Sequence, residues 1–406
     1  MAALPLGLAA PAWSAPGNRV AVLVLFEDPP RTADVAAIER AGGRVDHRYR
    51  IVPAVAAVVP EAALDGLRRN PRVAAVEPDA VVRGLDYRST HDWGIAHIRA
   101  DQVHAGGNTG GTDAAGNAVR LAVLDSGIDC DHVELSPPRC QLGPTYVDGT
   151  SDSDDDWGHG THVAGSVGAE LDAGTSTGVV GVAPSATLIA YKVLDDQGYG
   201  SISDVIAAVD HVWNGGNRKA EVVNMSLGWR TGSRSFKQTM DRAYASGIVL
   251  VAAAGNGGSC SSTRNTVSYP ARYESVVAVG AVDQSNVRPC WSSTGDEVEL
   301  AAPGVSVFST WPADLSTSPR DPQPVCEAST CHYKYGSGTS MAVPHVAGAA
   351  ALVLASGTVI DANGANGAAD EIRGRLDATA VDLGPSGRDR QYGYGLVDAY
   401  RAASGG

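Results

Sequence analysis

Between residues 120 and 355 the chain alternates short, almost uninterrupted apolar runs with segments of helical spacing, and this alternation restricts the fold more than any other feature of the sequence. The runs lie at 120–124, 188–194, 222–226, 249–253, 276–279 and 298–301. Each is too short for a helix and too continuously apolar for a strand with one wet face, so each predicts a strand buried on both sides. Helical patterns fall at 202–213, 235–245 and 341–355. Buried strands alternating with helices predict an α/β domain of three layers, a parallel sheet between two helical layers, with right-handed crossovers. Ligands of such sheets bind at the carboxyl ends of the strands.

A smaller unit precedes this domain. Residues 20–26 read as a strand, 32–41 as a helix with Val35, Ile38 and Ala41 on one face, 52–59 as a strand, 62–69 as a second helix and 73–76 as a last strand. Read as strand, helix, strand, strand, helix, strand, these elements predict a small α+β domain of the split βαβ kind over residues 18–84. About 65 residues make a marginal core, so the unit is expected to need a partner surface. The polar stretch after Gly84 reads as a linker over 85–92, followed by the large domain at 93–406. Residues 4–15 are apolar, and Ala10-Pro11-Ala12 is like a small-residue cleavage site, but no Lys or Arg precedes it. Residues 1–17 are therefore read as a signal-peptide remnant.

Charge and cysteine usage narrow the function. The net charge is −14; residues 1–84 carry ten Arg against nine Asp or Glu, so the acidity belongs to the large domain. An acidic body argues against nucleic acid or an anionic membrane surface as partner, and leaves carboxylates available for a hard cation such as calcium. No other run of about 18 apolar residues suggests a spanning helix. Six cysteines, Cys130, Cys140, Cys260, Cys290, Cys326 and Cys331, are confined to the large domain. An even count confined there predicts three disulfides and an oxidising, extracellular compartment. Short loops favour 130–140, 260–290 and 326–331 among fifteen possible pairings; no C-x-x-C pair supports zinc.

Three segments carry chemistry. In Leu121-Ala-Val-Leu-Asp125-Ser-Gly127 an acid ends an apolar strand; Gly158-His159-Gly160-Thr161-His162 follows, then Gly338-Thr339-Ser340-Met341-Ala342 with Pro344-His345. A Ser hydroxyl needs a His base, and that His needs an acid to fix its tautomer. Asp, His, Ser is one of the chain orders in which this geometry occurs. Ser340 would open a helix, whose free N–H groups suit developing negative charge.

These segments, in order and wording, resemble the subtilisin-type serine proteases. The resemblance spans roughly residues 90–404 and implies a secreted, monomeric serine endopeptidase that acts on protein and peptide substrates and needs no organic cofactor. It implies Asp125, His159 and Ser340 as the catalytic triad. Within Val251-Ala-Ala-Ala-Gly255-Asn256 it implies Asn256 as donor to the oxyanion. Gly198-Tyr199-Gly200 resembles the family's edge segment that pairs with extended substrate, and Ser226-Leu227-Gly228 with Ala254-Gly255 the walls of its main specificity pocket. Residues 18–84 resemble its inhibitory propeptide, with Val76-Glu77-Pro78-Asp79 as the last strand, so a self-processing zymogen is implied.

Glu134 stands near the acid that holds structural calcium in the family, but residues 171–177 depart from the family's Asn-rich calcium loop. The run Asp152-Ser-Asp-Asp-Asp156 reads as a solvated loop, with calcium the sharper alternative, and Asp129 and Asp131 as surface acids. His159 and His162 are three apart with no H-E-x-x-H pattern, so His162 reads as a buried structural residue rather than a metal ligand, and His345 as a helix-packing one. Gly257 stands where some relatives carry an acid, so a broad, mainly apolar preference is expected. A catalytically weak peptide-binding homologue would lack one of the four key residues. An esterase would carry G-x-S-x-G and another chain order.

Overall fold

The computed structural model describes residues 19–84, 93–170, 178–214, 219–261, 264–317, 325–327, 330–359 and 368–405, the side chains of 81–84, 316–317, 325–327 and 330–331 excepted. The expected signal remnant, the 85–92 linker, the 171–177 loop and the Cys326–Cys331 pairing lie outside it. The chain forms two compact units, Met1–Asp79 and Ala80–Gly406.

The first unit runs β1 (Arg19–Phe26), α1 (Thr32–Arg40), β2 (Arg44–Arg48), β3 (Ala54–Pro60), α2 (Leu64–Arg68) and β4 (Val73–Pro78). The strands form one antiparallel sheet in the order β2-β3-β1-β4, the split βαβ arrangement. Val22, Val24 and Phe26 of β1 alternate onto the helical face and meet Ile38, Val55, Val59 and Leu67. No apolar run marks β2 in the sequence, because Arg-Val-Asp-His-Arg has one apolar residue and lies at a sheet edge. In the first turn of α1, Asp34 accepts from the Arg31 N–H at 2.8 Å and from Arg72 Nε at 3.1 Å. The Arg31 and Arg72 guanidiniums hold its carboxyl well below the usual range.

The second unit opens with β5 (Val81–Gly84), α3 (Gly94–His97) and α4 (Ala100–Ala105), then β6 (Arg120–Asp125), β7 (Cys140–Thr145), α5 (His159–Gly168), β8 (Thr187–Lys192), β9 (Tyr199–Ser201) and α6 (Ile202–Trp213). It continues with β10 (Val222–Met225), β11 (Leu227–Gly228), α7 (Arg234–Ala245), β12 (Val249–Ala253), β13 (Val277–Val282), β14 (Val298–Pro303), β15 (Val307–Thr310), β16 (Val325–Glu327) and β17 (Thr330–Gly336). The helices α8 (Thr339–Ser356), α9 (Ala369–Thr379) and α10 (Ala399–Ser404) close it.

Seven strands form a parallel sheet in the order β14-β13-β12-β10-β6-β8-β7. All six expected apolar runs are in it. The seventh strand, β7, is an edge strand with half-exposed polar positions and carries no apolar run. From β6 the sheet grows first towards β8 and β7 and then, from β10, the other way. The carboxyl ends of β6 and β10 therefore flank the point where strand order reverses, where a crevice opens in sheets of this kind.

The helix α8 is long and apolar enough to cross a membrane, but 83% of it is buried inside the fold. It packs against β10, β12, β13 and β14 and against α5 and α10, so its all-round apolarity is that of a core helix. After β15 the chain returns as β17, which pairs with β15 from Val307↔Gly336 to Thr310↔Tyr333.

Candidate active site

Asp125 is the last residue of β6 and its carboxylate is fully buried. Oδ1 accepts from the Ser126 N–H at 2.8 Å and from His159 Nδ1 at 2.7 Å. The proton on Nδ1 leaves the imidazole lone pair on Nε2, the arrangement of a general base. The chain leaves β6 through Gly127, at φ +113°, where a Cβ would lie 2.5 Å from the Ser153 and Asp154 carbonyls. Only Gly permits that approach, and it brings the 152–156 loop over the end of the sheet.

His159 is the first residue of α5, and Asp155 fixes that helix end. One carboxylate oxygen of Asp155 accepts from Ser126 Oγ at 2.7 Å, Gly158 N at 2.8 Å and Trp157 N at 3.1 Å. The other accepts from the Thr161 N–H at 2.7 Å and its hydroxyl at 2.6 Å. Beside it Lys192, at the end of β8 and 1% exposed, donates from Nζ to the Ser126 carbonyl at 2.5 Å, the Asp154 carbonyl at 3.1 Å and Asp156 Oδ1 at 2.5 Å. The acidic run is thus no uniformly solvated loop: Asp155 is a buried acceptor and Asp156 the partner of a buried lysine. Sequence reasoning had no signal for this, since an acid between acids looks the same whether it is wet or saturated with donors.

Ser340 is the second residue of α8, close to its amino end. Its Oγ donates to the Ser226 carbonyl at 3.0 Å, and Ser226 Oγ donates back to the Ser340 carbonyl at 2.8 Å. Asn224 Nδ2 supports Ser226 Oγ at 3.0 Å. The loop after β12 brings in Ala254, Gly255 and Asn256. Asn256 Oδ1 accepts from the Thr339 N–H and the Thr339 hydroxyl, both at 3.0 Å. A backbone N–H can only donate, so the side-chain oxygen must face Thr339 and Nδ2 faces the other way. That Nδ2 is buried and has no hydrogen-bond partner among the described residues. Buried donors are normally satisfied, so one held open in this way marks a place for an acceptor that arrives later.

The strand slot lies alongside. β9 holds Tyr199 and Gly200, with Gly198 just before it, and β11 holds Leu227 and Gly228. The chain's own β5 lies between them, antiparallel to both, with Arg83 paired to Tyr199 and Gly228, and Gly84 to Leu227. At the end of β9, Ser201 caps α6 by accepting from the Asp204 N–H at 3.2 Å, which turns the chain straight into that helix.

Of the six cysteines, Cys130–Cys140 and Cys260–Cys290 are bonded. Both oxygens of Glu134 accept from the Val179 N–H at 3.1–3.2 Å, and Oε1 also accepts from the Tyr333 hydroxyl at 2.9 Å. No group of three His, Cys, Asp or Glu side chains suited to a metal ion occurs among the described residues.

Besides His159, three of the described histidines are buried as neutral donors or acceptors. His162 Nε2 donates to the Val307 and Lys334 carbonyls at 3.1 Å each, His345 Nδ1 to the Met341 carbonyl at 2.8 Å, and His132 Nε2 to the His332 carbonyl at 2.9 Å. Burial lowers their pKa from 6.5 to about 3 in His162 and about 4 in His345 and His132. Between pH 6.5 and 4 the unfolded chain therefore binds protons that the folded chain refuses, and stability falls with acidification. Each histidine contributes a slope of about 1.4 kcal/mol per pH unit. Urea titrations of a Ser340→Ala protein, which avoids autolysis, should show this fall. His162→Gln, which keeps donors for both carbonyls without titrating, should make the slope shallower by one proton; an unchanged slope would contradict the burial of a neutral His162.

A family model described as the subtilase family matches residues 116–395. The chain belongs to the subtilase family. Subtilisin DY of Bacillus licheniformis is 44% identical over 314 residues, covering 77% of this chain and 99% of that protein. Subtilisin E of Bacillus subtilis (strain 168) is 41% identical over 368 residues, 90% of this chain and 84% of the relative. A thermostable alkaline protease of Halalkalibacterium halodurans is 38% identical over 359 residues, 88% and 85% of the two chains. This subtilase is a serine endopeptidase, and its parallel sheet with flanking helices is the three-layer fold expected from the sequence.

Proposed function

We propose that Asp125, His159 and Ser340 are the catalytic triad of this subtilase and Asn256 its oxyanion donor, in an extracellular enzyme made as a self-processing zymogen. The observation that carries the reading is the junction of β6, α5 and α8: Asp125 fixes the His159 tautomer at 2.7 Å, while Thr339, beside Ser340, turns the Asn256 amide nitrogen outward.

The Ser340 hydroxyl exchanges its Ser226 partner for His159 Nε2, which takes the proton as Oγ attacks the peptide carbonyl. Asn256 Nδ2 and the Ser340 backbone N–H bind the oxyanion. His159 then protonates the leaving amine, and water releases the acyl group with His159 again as base. Asp125 stabilises the imidazolium throughout and stays ionised.

Residues 18–84 are read as the inhibitory propeptide and 85–92 as the segment that is cut, leaving 93–406 as the peptidase. The lie of β5 between β9 and β11 supports this, because an extended substrate would pair in the same slot. Two disulfides support an oxidising, extracellular site of action. Ala254 and Gly255, with Gly257 in place of an acid, support a broad apolar preference for the residue before the scissile bond. Calcium is a different matter. The Glu134 carboxylate accepts from Val179 and Tyr333, and no metal-holding group of three His, Cys, Asp or Glu side chains occurs among the described residues, so no step is routed through calcium.

A serine-directed phosphonylating reagent tests the reading. It should label Ser340 with one equivalent, block hydrolysis of a peptide substrate, and give no such label after His159→Ala. Full activity after the reagent, or label on another residue, would sink the assignment.

A further inference from the structure

Trp157 takes no part in the chemistry above, yet its ring stacks on the catalytic His159 with centroids 4.8 Å apart and planes at 26°. Its backbone is held by Asp155, and the indole is half-buried. The far edge of the same indole reaches the strand slot: a Cβ on Gly198 would lie 2.5 Å from Cη2 and 2.7 Å from Cζ2 of Trp157. Trp157 thus bridges from the base to the edge of β9.

The register of β5 places this ring relative to a bound strand. Val81 pairs with Ser201, Val82 with Gly200 and Arg83 with Tyr199. The next residue, Gly198, lies just outside β9 at φ +76°, beside the residue that follows Arg83 in the slot. A side chain at position 84 of a strand in this slot would therefore have to share the space next to Gly198 with the indole edge. This chain has Gly at position 84, which has no side chain to clash. On the other flank Gly84 is opposite Leu227, so a substrate in this register presents its next residue to Ser226, whose carbonyl is 3.0 Å from Ser340 Oγ.

We propose that Trp157 is a specificity-determining residue that restricts the second residue before the scissile bond to Gly or a comparably small side chain. The inference rests on the proposed reading of the slot as the substrate site. The substrate class is then peptides with a small residue followed by an apolar one, cut after the apolar residue. The chain's own sequence at Gly84-Leu85 has that form.

Internally quenched peptides differing only at that second position, Gly, Ala, Leu or Phe, test it on the purified full-chain enzyme after its own maturation. Wild-type kcat/KM should favour Gly over Leu by about 10–200-fold, the range that small changes of side-chain bulk impose at a tight site. Trp157→Ala should collapse that ratio to within a few-fold by raising the Leu and Phe substrates, and Trp157→Phe should give an intermediate ratio. If Trp157→Ala does not fold, the wild-type ratio and Trp157→Phe still decide the matter. A wild-type enzyme that accepts Leu as well as Gly, or a ratio unmoved in both variants, would overturn the proposal. Phosphonate titration of each preparation separates the two levels: normal labelling with an unmoved ratio overturns this inference alone, whereas absent labelling of Ser340 overturns the active-site reading beneath it.

Discussion

Ser340→Ala should lower kcat by about 10⁶, a loss known for the nucleophile of a subtilisin and carried over here, and should leave the chain uncut. The two outcomes have one cause. Without Oγ no acyl-enzyme can form, and the residual rate over water comes from binding and the oxyanion donors alone. The junction near 85–92 is a peptide bond like any other, and in sequence it directly follows the strand that lies between β9 and β11. If the chain cuts itself, removing the nucleophile removes the cut. Secreted Ser340→Ala should therefore migrate with residues 18–84 still covalently attached, and N-terminal sequencing should read upstream of Gly84. Normal processing of the variant would assign the cut to another protease and remove the self-processing part of the proposal. The substitution should barely affect the fold. It removes one hydroxyl whose partner, the Ser226 carbonyl, lies beside a second bond in which Ser226 Oγ donates to the Ser340 carbonyl.

Much of this protein was legible in its sequence where a local pattern carries a tertiary consequence. The six apolar runs are in the parallel sheet because strands wet on neither face cannot afford polar alternation. Asp125 could be placed at a strand end and Ser340 near a helix start from their flanking residues. The illegible parts lack such a pattern. β7 is half-polar because an edge strand needs only one partner. Asp155 looks like its acidic neighbours, yet it is the acceptor that fixes the start of α5, because five donors from Ser126, Trp157, Gly158 and Thr161 converge on it. By position along the chain Glu134 stands near the family's calcium acid. Its carboxylate instead meets Val179 and Tyr333, 45 and 199 residues away, and no window of sequence contains that contact. Trp157 reads as an ordinary loop aromatic until folding lays it on His159.

Asn256→Ala should lower kcat by about 10²–10³ with little change in KM, the size of effect known for this donor in a subtilisin and carried over here rather than calculated. The structure explains why the effect should be confined to kcat. Asn256 Oδ1 is fixed by two bonds from Thr339, so Nδ2 is set in place before substrate arrives and need not reorganise during reaction. A donor aimed at the oxyanion position meets the ground-state carbonyl poorly and the tetrahedral intermediate well, so its loss is felt in the transition state. Asn256→Asp sharpens the test. One carboxylate oxygen can still accept from Thr339, but the other then stands where Nδ2 was and repels the developing charge. It should be at least as damaging as Ala although it is nearly isosteric. Thr339→Val attacks the same device from behind: it keeps the backbone N–H but removes the hydroxyl, freeing the amide to rotate, and should give a smaller loss of kcat in the same direction. An Asn256→Ala enzyme with wild-type kcat and a raised KM would show instead that this amide holds substrate, and the donor left open at the start of α8 would need another explanation.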